Sequence, residues 1–148
     1  MPRLTPCITT SLAAIAISMT AGCQQKVTHE HVTGTWRGTS HSINSRGKNQ
    51  THKVIVLTVD EDGLVEGTSG WELIDGPGGH NGTATSTGDT DQIIGVYDAD
   101  SGRLHLVEME EHGHLRGRII DTTHIEMVLV QAGEKPVASK FTLTRDED

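Results

Sequence analysis

His114-Leu-Arg-Gly-Arg-Ile-Ile-Asp-Thr-Thr-His-Ile-Glu-Met-Val-Leu-Val-Gln131: this segment is the most informative one about the fold. Its pairing as a β-hairpin can be tested against its own residues. With the turn at 121–123, Ile120 faces His124, and Arg118 pairs with Glu126 on one face. The other face then pairs apolar or small residues with one another: Ile119, Gly117 and Leu115 with Ile125, Met127 and Leu129. Because charge and hydrophobic pattern agree on one register, the sequence predicts an antiparallel hairpin with one buried face.

Similar strand-like segments lie before and after this hairpin. The full set of candidates is 33–41, 52–59, 64–72, 92–98, 103–109, 114–120, 124–131 and 139–145, with a further one at 82–87. The glycines that follow Asp62, Ser101 and His112 suit the tight turns between them. No window after residue 22 shows helical periodicity. We therefore expect an all-β fold, an antiparallel up-and-down meander of about eight strands that closes as a small barrel or packs as a sandwich.

The first 22 residues differ from the rest of the chain and are typical of a cleaved export signal. Arg3 is their only charge, and an apolar run at 12–17 precedes a small-residue stretch. That run is shorter than the roughly 20 residues needed to span a bilayer. Thr20-Ala21-Gly22-Cys23 resembles the lipobox of bacterial lipoproteins, which are cleaved before a lipidated cysteine; Thr20 stands where that family usually has Leu. The alternative is an ordinary signal peptide followed by an incidental cysteine.

The lipobox resemblance implies an organisation for the whole chain. Residues 1–22 form the lipoprotein signal peptide, 23–31 a polar lipidated tether, and 32–148 the β-barrel domain. The resemblance implies a lipid such as palmitate on Cys23, and hence a membrane as partner. In a Gram-negative host, Gln24 after the cysteine favours the outer membrane, with the domain facing the periplasm or the cell surface. Cys7 lies in the leader, so no disulfide can form within the mature chain.

Charge excludes one class of partner. All 20 acidic residues follow the leader, together with 11 of the 12 basic ones, so the mature chain carries a net charge of −9. Such a chain repels phosphate backbones, and we expect no nucleic-acid binding.

Two short motifs indicate which kind of barrel this is. Gly34-Thr35-Trp36 begins the first strand, and the last strand, 139–145, ends in Arg145. Together they resemble calycin-type barrels, the lipocalins and avidins, over about residues 32–146. The resemblance implies that Trp36 and Arg145 are structural, with the guanidinium packed over the indole to close one end of the barrel. Avidins line their ligand site with several tryptophans, whereas this chain has two, so biotin is not the expected ligand.

No motif predicts catalysis, a metal or a cofactor. The pairs His29/His31 and His112/His114 have spacing that suits Zn²⁺ or Cu²⁺, but they also suit solvated residues in a tether and a turn. Asp98-Ala-Asp100 lacks the remaining ligands of a calcium loop and suits a hairpin turn. Glu108 is expected to point inward with its strand neighbours, either as a solvated carboxylate at the mouth or as an acid. The glycine-rich segment 75–82 is expected to be an irregular loop, a lid or a simple connector.

Two functions fit these observations. The first is a membrane-anchored, exported lipoprotein that acts as a binding or protein-interaction module in the cell envelope. The second is a lipocalin-like carrier of a small apolar ligand, favoured by small inward residues such as Gly67, Gly95 and Gly117, which would leave volume in the barrel. An enzyme is not expected.

Overall fold

Alternation of apolar and polar residues produces strands along nearly the whole of the chain that the structure describes. The structure is a computed structural model and describes residues 27–81 and 84–147. One helix, α1 (His29–Val32), precedes ten strands within these ranges. The strands are β1 (Gly34–Asn44), β2 (Gly47–Val59), β3 (Leu64–Asp75), β4 (Gly79–Asn81), β5 (Ala84–Ser86), β6 (Gly88–Asp98), β7 (Arg103–Glu108), β8 (His114–Ile119), β9 (His124–Gln131) and β10 (Val137–Arg145).

Eight of these strands close into a barrel. Their order around it is β1-β10-β9-β8-β7-β6-β3-β2, and every neighbouring pair is antiparallel. Each strand lies beside its neighbour in the chain, with β4 and β5 inserted between β3 and β6 as a separate two-stranded sheet. The predicted all-β meander of eight strands is confirmed, and its closure is a barrel rather than a sandwich.

The hairpin that decided the fold has the predicted register. Arg118 pairs with Glu126, and their side chains approach to 3.5 Å on the outside. Inside, Ile119 lies opposite Ile125, and the two remaining apolar pairs follow in step. The Ile120 N–H donates to the His124 carbonyl oxygen and closes the turn.

The glycine-rich segment departs from the prediction. Strand β3 continues to Asp75, and β4 pairs with β5 where an irregular loop was expected. The Gly78 N–H donates to Asn49 Oδ1 at 2.7 Å, and Asn44 Nδ2 donates to the Gly78 carbonyl oxygen. Gly76 and Gly78 have φ values of 108° and 77°, so the glycines make a defined turn that two distant asparagines hold.

The expected free volume at the inward glycines is also absent. A Cβ atom at Gly67 would collide with the Val56 carbonyl oxygen, and one at Gly95 with the His105 carbonyl oxygen. These glycines permit close approach of neighbouring strands and leave no space for a ligand. The same half of the barrel is filled by fully buried side chains, among them Trp36, Ile55, Leu57, Leu104, Leu106, Ile125 and Leu143.

Helix α1 covers the end of the barrel at which this apolar core lies. Val32 is fully buried, and its carbonyl oxygen accepts a hydrogen bond from Trp36 Nε1 at 2.9 Å. Arg145 donates to the carbonyl oxygens of His31 and Thr33, each at 2.8 Å. Its guanidinium carbon lies 6.0 Å from the centre of the Trp36 ring.

The contacts of the domain begin upstream of Val32. The Tyr97 hydroxyl donates to the Val27 carbonyl oxygen, and the His29 ring meets the Tyr97 ring edge-on at 5.6 Å. Residues 27–31 of the expected tether therefore lie against the closed end of the barrel. The predicted signal peptide and Cys23 fall outside the described residues. No helix in the described part of the chain is long and apolar enough to cross a membrane.

We expect Arg145→Met to lower the free energy of unfolding by about 2–4 kcal/mol, because two carbonyl oxygens lose a charged donor and Trp36 loses its cation. Urea unfolding measures the effect. Arg37→Met is the matched control: this guanidinium is exposed and pairs only with Asp146 among the contacts seen, so a loss below about 1 kcal/mol is expected. Equal losses in the two variants would contradict a closing role for Arg145.

Candidate functional site

The interior of the barrel divides into an apolar end and a polar end. Alternation places polar side chains inward on β1, β2, β3, β6, β7 and β10 at the end opposite α1, and these are buried: Ser40, Thr51, Lys53, Ser69, Asp91, Glu108 and Ser139. They surround a cavity of about 100 Å³ that opens at this mouth. A single water molecule needs roughly 10–15 Å³ of such space, so the cavity has room for a small molecule.

A buried pair of opposite charges lies at the inner end of this cavity. Lys53 on β2 and Glu108 on β7 have side chains that are 4% and 6% exposed, and Nζ lies 3.9 Å from Oε1. The Ser69 hydroxyl donates to the same Oε1 at 3.0 Å. Lys53 Nζ also lies 5.8 Å from the centre of the Phe141 ring, at the boundary with the apolar core.

Glycine makes room for this carboxylate. A Cβ atom at Gly113 would collide with Glu108 Oε2, and the Gly113 carbonyl oxygen accepts the backbone N–H of Glu108 at 2.8 Å. The turn between β7 and β8 therefore both orients Glu108 and leaves space for its side chain.

Burial shifts the pKa values of Lys53 and Glu108 in opposite directions. Loss of hydration lowers the pKa of Lys53, although the charges of Glu108 and Asp91 partly oppose this. Loss of hydration likewise raises the pKa of Glu108, against the effects of Lys53 and the Ser69 hydroxyl. For each group, loss of hydration has the largest influence on the pKa.

The rim of the mouth carries more negative than positive charge. Asp91 accepts backbone N–H groups of Glu110 and Glu111. Glu111 in turn accepts Lys135 Nζ at 2.8 Å. Asp89 adds a further exposed carboxylate to the lining. Anionic molecules therefore meet repulsion before they reach the interior.

Apolar side chains form part of the wall near the opening. Trp71, Leu129 and Val137 line the cavity. Gly79 of β4 lies against the Trp71 indole, where a Cβ atom would come to 3.0 Å of the ring. The segment expected as a lid or connector thus packs over the mouth and positions an aromatic wall.

Serine hydroxyls complete the wall on the side where the barrel closes. Ser40 on β1 and Ser139 on β10 hydrogen-bond to each other, and the Ser139 hydroxyl also approaches the His41 carbonyl oxygen at 3.5 Å. The first and last strands therefore contribute neutral hydrogen-bonding groups to the cavity.

Most residues singled out from the sequence lie elsewhere. Trp36 and Arg145 are at the closed end, His105, His112 and His114 are exposed, and Asp98 accepts hydrogen bonds from Ser101 in a hairpin turn. Within residues 27–81 and 84–147, no group of three His, Cys, Asp or Glu side chains is placed to hold a metal ion. Of the candidates, only Glu108 lies in the cavity, and it is buried where a solvated carboxylate was expected.

Sequence reasoning missed Lys53. The signal was present, because Thr51, Lys53, Ile55 and Leu57 alternate with exposed residues and so share the inward face of β2.

We expect Lys53→Met and Glu108→Leu each to lower the free energy of unfolding by about 3–5 kcal/mol, because each leaves an uncompensated buried charge. The double variant should be within about 1 kcal/mol of the wild type or more stable, since apolar groups then replace both charges. Urea unfolding gives all three values. The exposed pair Arg118 and Glu126 is the control, and its single variants should lose less than about 1 kcal/mol. Additive losses in the double Lys53/Glu108 variant would contradict this account.

The raised pKa of Glu108 predicts a dependence on pH. Its folded pKa lies above the ordinary value of 4.5, so its contribution to stability is fully present below about pH 4.5 and is lost as the pH rises through the raised pKa. We expect the stability of the wild type relative to Glu108→Gln to fall as the pH rises above about 4.5. Urea unfolding at several pH values measures the difference, and a constant difference would refute the assignment.

Comparison with known proteins identifies the fold and no family. No protein-family model and no curated protein matches the sequence significantly. A de novo designed fluorescence-activating β-barrel has a TM-score of 0.50 at 10% identity, over 80% of this chain and 96% of that chain. EF1p2_mFAP2b, determined bound to DFHBI, has a TM-score of 0.50 at 12% identity, over 79% of this chain and 95% of that chain.

A third similar structure is a natural protein. It is a protein of unknown function from the DUF3598 family of Nostoc punctiforme PCC 73102, with a TM-score of 0.51 and 14% identity. The match covers 81% of this chain and 49% of that chain. At such low identity these likenesses concern architecture alone, and that architecture is a closed antiparallel β-barrel.

Proposed function

We propose that this chain is an exported, lipid-anchored binding protein of the cell envelope, and that it holds a small molecule in the mouth of its barrel. The observation that carries the proposal is the Lys53–Glu108 pair, buried at the inner end of an open cavity. A packed apolar core fills the other half of the same barrel. Apolar side chains in place of the pair would stabilise the barrel at least as well. A costly polar pair beside unfilled space is explained by recognition of a ligand.

The fold is suited to this task. A closed barrel of eight strands is just wide enough to hold one small ligand where its interior is not filled by side chains. EF1p2_mFAP2b, a protein of similar architecture, is determined with DFHBI bound. In this chain the unfilled space lies only at the mouth, so a ligand enters partway and does not occupy the whole barrel.

The anchor rests on the sequence. Thr20-Ala21-Gly22-Cys23 resembles a lipobox, and Cys23 is the only cysteine after the leader. The proposal therefore includes lipid on Cys23 and, in a Gram-negative host, attachment to the outer membrane.

We assign binding rather than catalysis to the cavity. Among the described residues that line it there is no histidine or cysteine. The Ser69 hydroxyl is engaged as a donor to the Glu108 carboxylate.

A second candidate function is docking of another envelope protein, and one outer surface favours it. An outward row crosses six neighbouring strands from β6 to β1 through paired positions, and its large apolar members are between 38% and 53% exposed: Ile94, Val107, Val130 and Ile43. Exposed apolar side chains aligned in this way are typical of interaction surfaces.

Native mass spectrometry of the protein extracted from its own membrane tests both parts of the proposal. We expect an acyl-modified mass that Cys23→Ser abolishes, because the thiol carries the lipid. We also expect a released small molecule that the Lys53→Met/Glu108→Leu double variant lacks. The Arg118→Met/Glu126→Leu variant, which removes an exposed pair on the outside of the barrel, is the control and should retain it.

The lipid anchor and the binding of a small molecule can be contradicted separately. An unmodified mass in the membrane fraction would contradict the lipid anchor. A lipidated protein that releases no small molecule would contradict the carrier function and would favour the docking surface on the outside of the barrel.

A further inference from the structure

We infer that the mouth selects an uncharged ligand whose head group carries both a hydrogen-bond donor and an acceptor, an amide above all, and discriminates against carboxylates. This inference rests on the proposed function and names the chemical class of its ligand. It begins from the separation of the two buried charges. Lys53 Nζ and Glu108 Oε1 are 3.9 Å apart, which is an ion-pair distance but too long for a hydrogen bond.

Both groups therefore present hydrogen-bonding capacity to the cavity. An ammonium group has three N–H donors and no acceptor, whereas a carboxylate has only acceptors. A ligand amide offers the complement of each, because its oxygen accepts from Lys53 while its N–H donates to Glu108. The serine hydroxyls of Ser40 and Ser139, on the two strands that follow β2 around the barrel, suit such a neutral polar group as well.

A charged head group of either sign meets a like charge at the same place. A carboxylate attracted by Lys53 would lie beside Glu108 and Asp91, both of which are buried. An ammonium attracted by Glu108 would lie beside Lys53. These repulsions are stronger than in bulk water, because the charged side chains of the inner lining are more than nine-tenths buried.

The rim reinforces discrimination against anions. Of its charged residues, Asp89, Asp91 and Glu111 are acidic and Lys135 is basic. Lys135 is already bound to Glu111 at 2.8 Å, so it is not left to attract an incoming anion. A carboxylate is therefore disfavoured twice, at entry and at the inner end, whereas an ammonium is disfavoured only at the inner end.

The outer wall accepts the rest of the molecule. Trp71, Leu129 and Val137 provide an apolar surface between the rim and the polar pair. A ligand with a polar head and a ring or short aliphatic body can place the head inward and the body against these side chains. In a carrier with an apolar interior, the ligand would instead place its apolar part inward.

Three probes that share one ring separate head-group charge from shape: benzamide, benzylamine and benzoate. They are titrated at neutral pH into the full chain carrying Cys23→Ser, with backbone amide NMR as the readout. We expect benzamide to shift the resonances of Ser69, Glu108 and Ser139 and to bind at least about tenfold more tightly than benzoate. Benzylamine should fall between the two.

Variants assign the preference to the buried pair. The Lys53→Met/Glu108→Leu double variant should bring benzamide and benzoate within about twofold of each other, whereas Arg37→Met, on the outside of the barrel, should leave the preference unchanged. Benzoate binding as tight as benzamide, a preference that survives in the double variant, or no binding by any probe would each overturn the inference. A natural ligand released in native mass spectrometry would still support the proposed function in those cases.

Discussion

The ladder between the first and last strands is the constraint on which the rest of the structure depends. Strands β1 and β10 pair from Trp36↔Arg145 to Asn44↔Val137, and this pairing turns an open meander into a barrel with no free edge. Closure fixes the width of the interior, so every inward side chain must fit one shared cross-section. At one end of the ladder that cross-section holds Trp36 with Arg145 stacked on it, and at the other it is lined by serines.

The two ends of the barrel differ in the kinds of groups that they bury. The closed end gains stability from buried apolar area and from backbone carbonyl groups that Arg145 and Trp36 satisfy. The mouth buries Lys53 and Glu108, and loss of hydration lowers the pKa of the first and raises the pKa of the second. Stability supplied at one end therefore allows the other to keep polar groups and unfilled space. The barrel separates the part that holds it together from the part that we propose binds a ligand.

Much of this architecture could be predicted from local pattern. The β8–β9 register followed from Arg118 and Glu126, because one pair of opposite residues fixes the register and the register then fixes every other pair of the hairpin. Alternation also predicted that Glu108 points inward. It could not predict that Lys53 lies across the barrel from it, since that distance depends on closure and not on either strand alone.

The errors have a common physical origin. Segment 75–82 looked irregular because its composition is rich in glycine, but the groups that order it, Asn44 and Asn49, come from β1 and β2. Gly67 and Gly95 were expected to leave free volume in the barrel, yet the backbone of the neighbouring strand occupies the space beside each of them. In each case the decisive partner is distant in sequence, and a single sequence gives no register between distant strands.

The position at which the chain enters the barrel sets its orientation under the proposed anchor. Val27 lies beside Tyr97 at the closed end, and only Gln24, Gln25 and Lys26 separate it from Cys23. Even fully extended, the connection from Cys23 to Val27 reaches no more than about 14 Å. A lipid on Cys23 would hold the closed end against the bilayer and point the mouth away from it, so a ligand would arrive from the aqueous compartment and not by lateral exchange from the lipid.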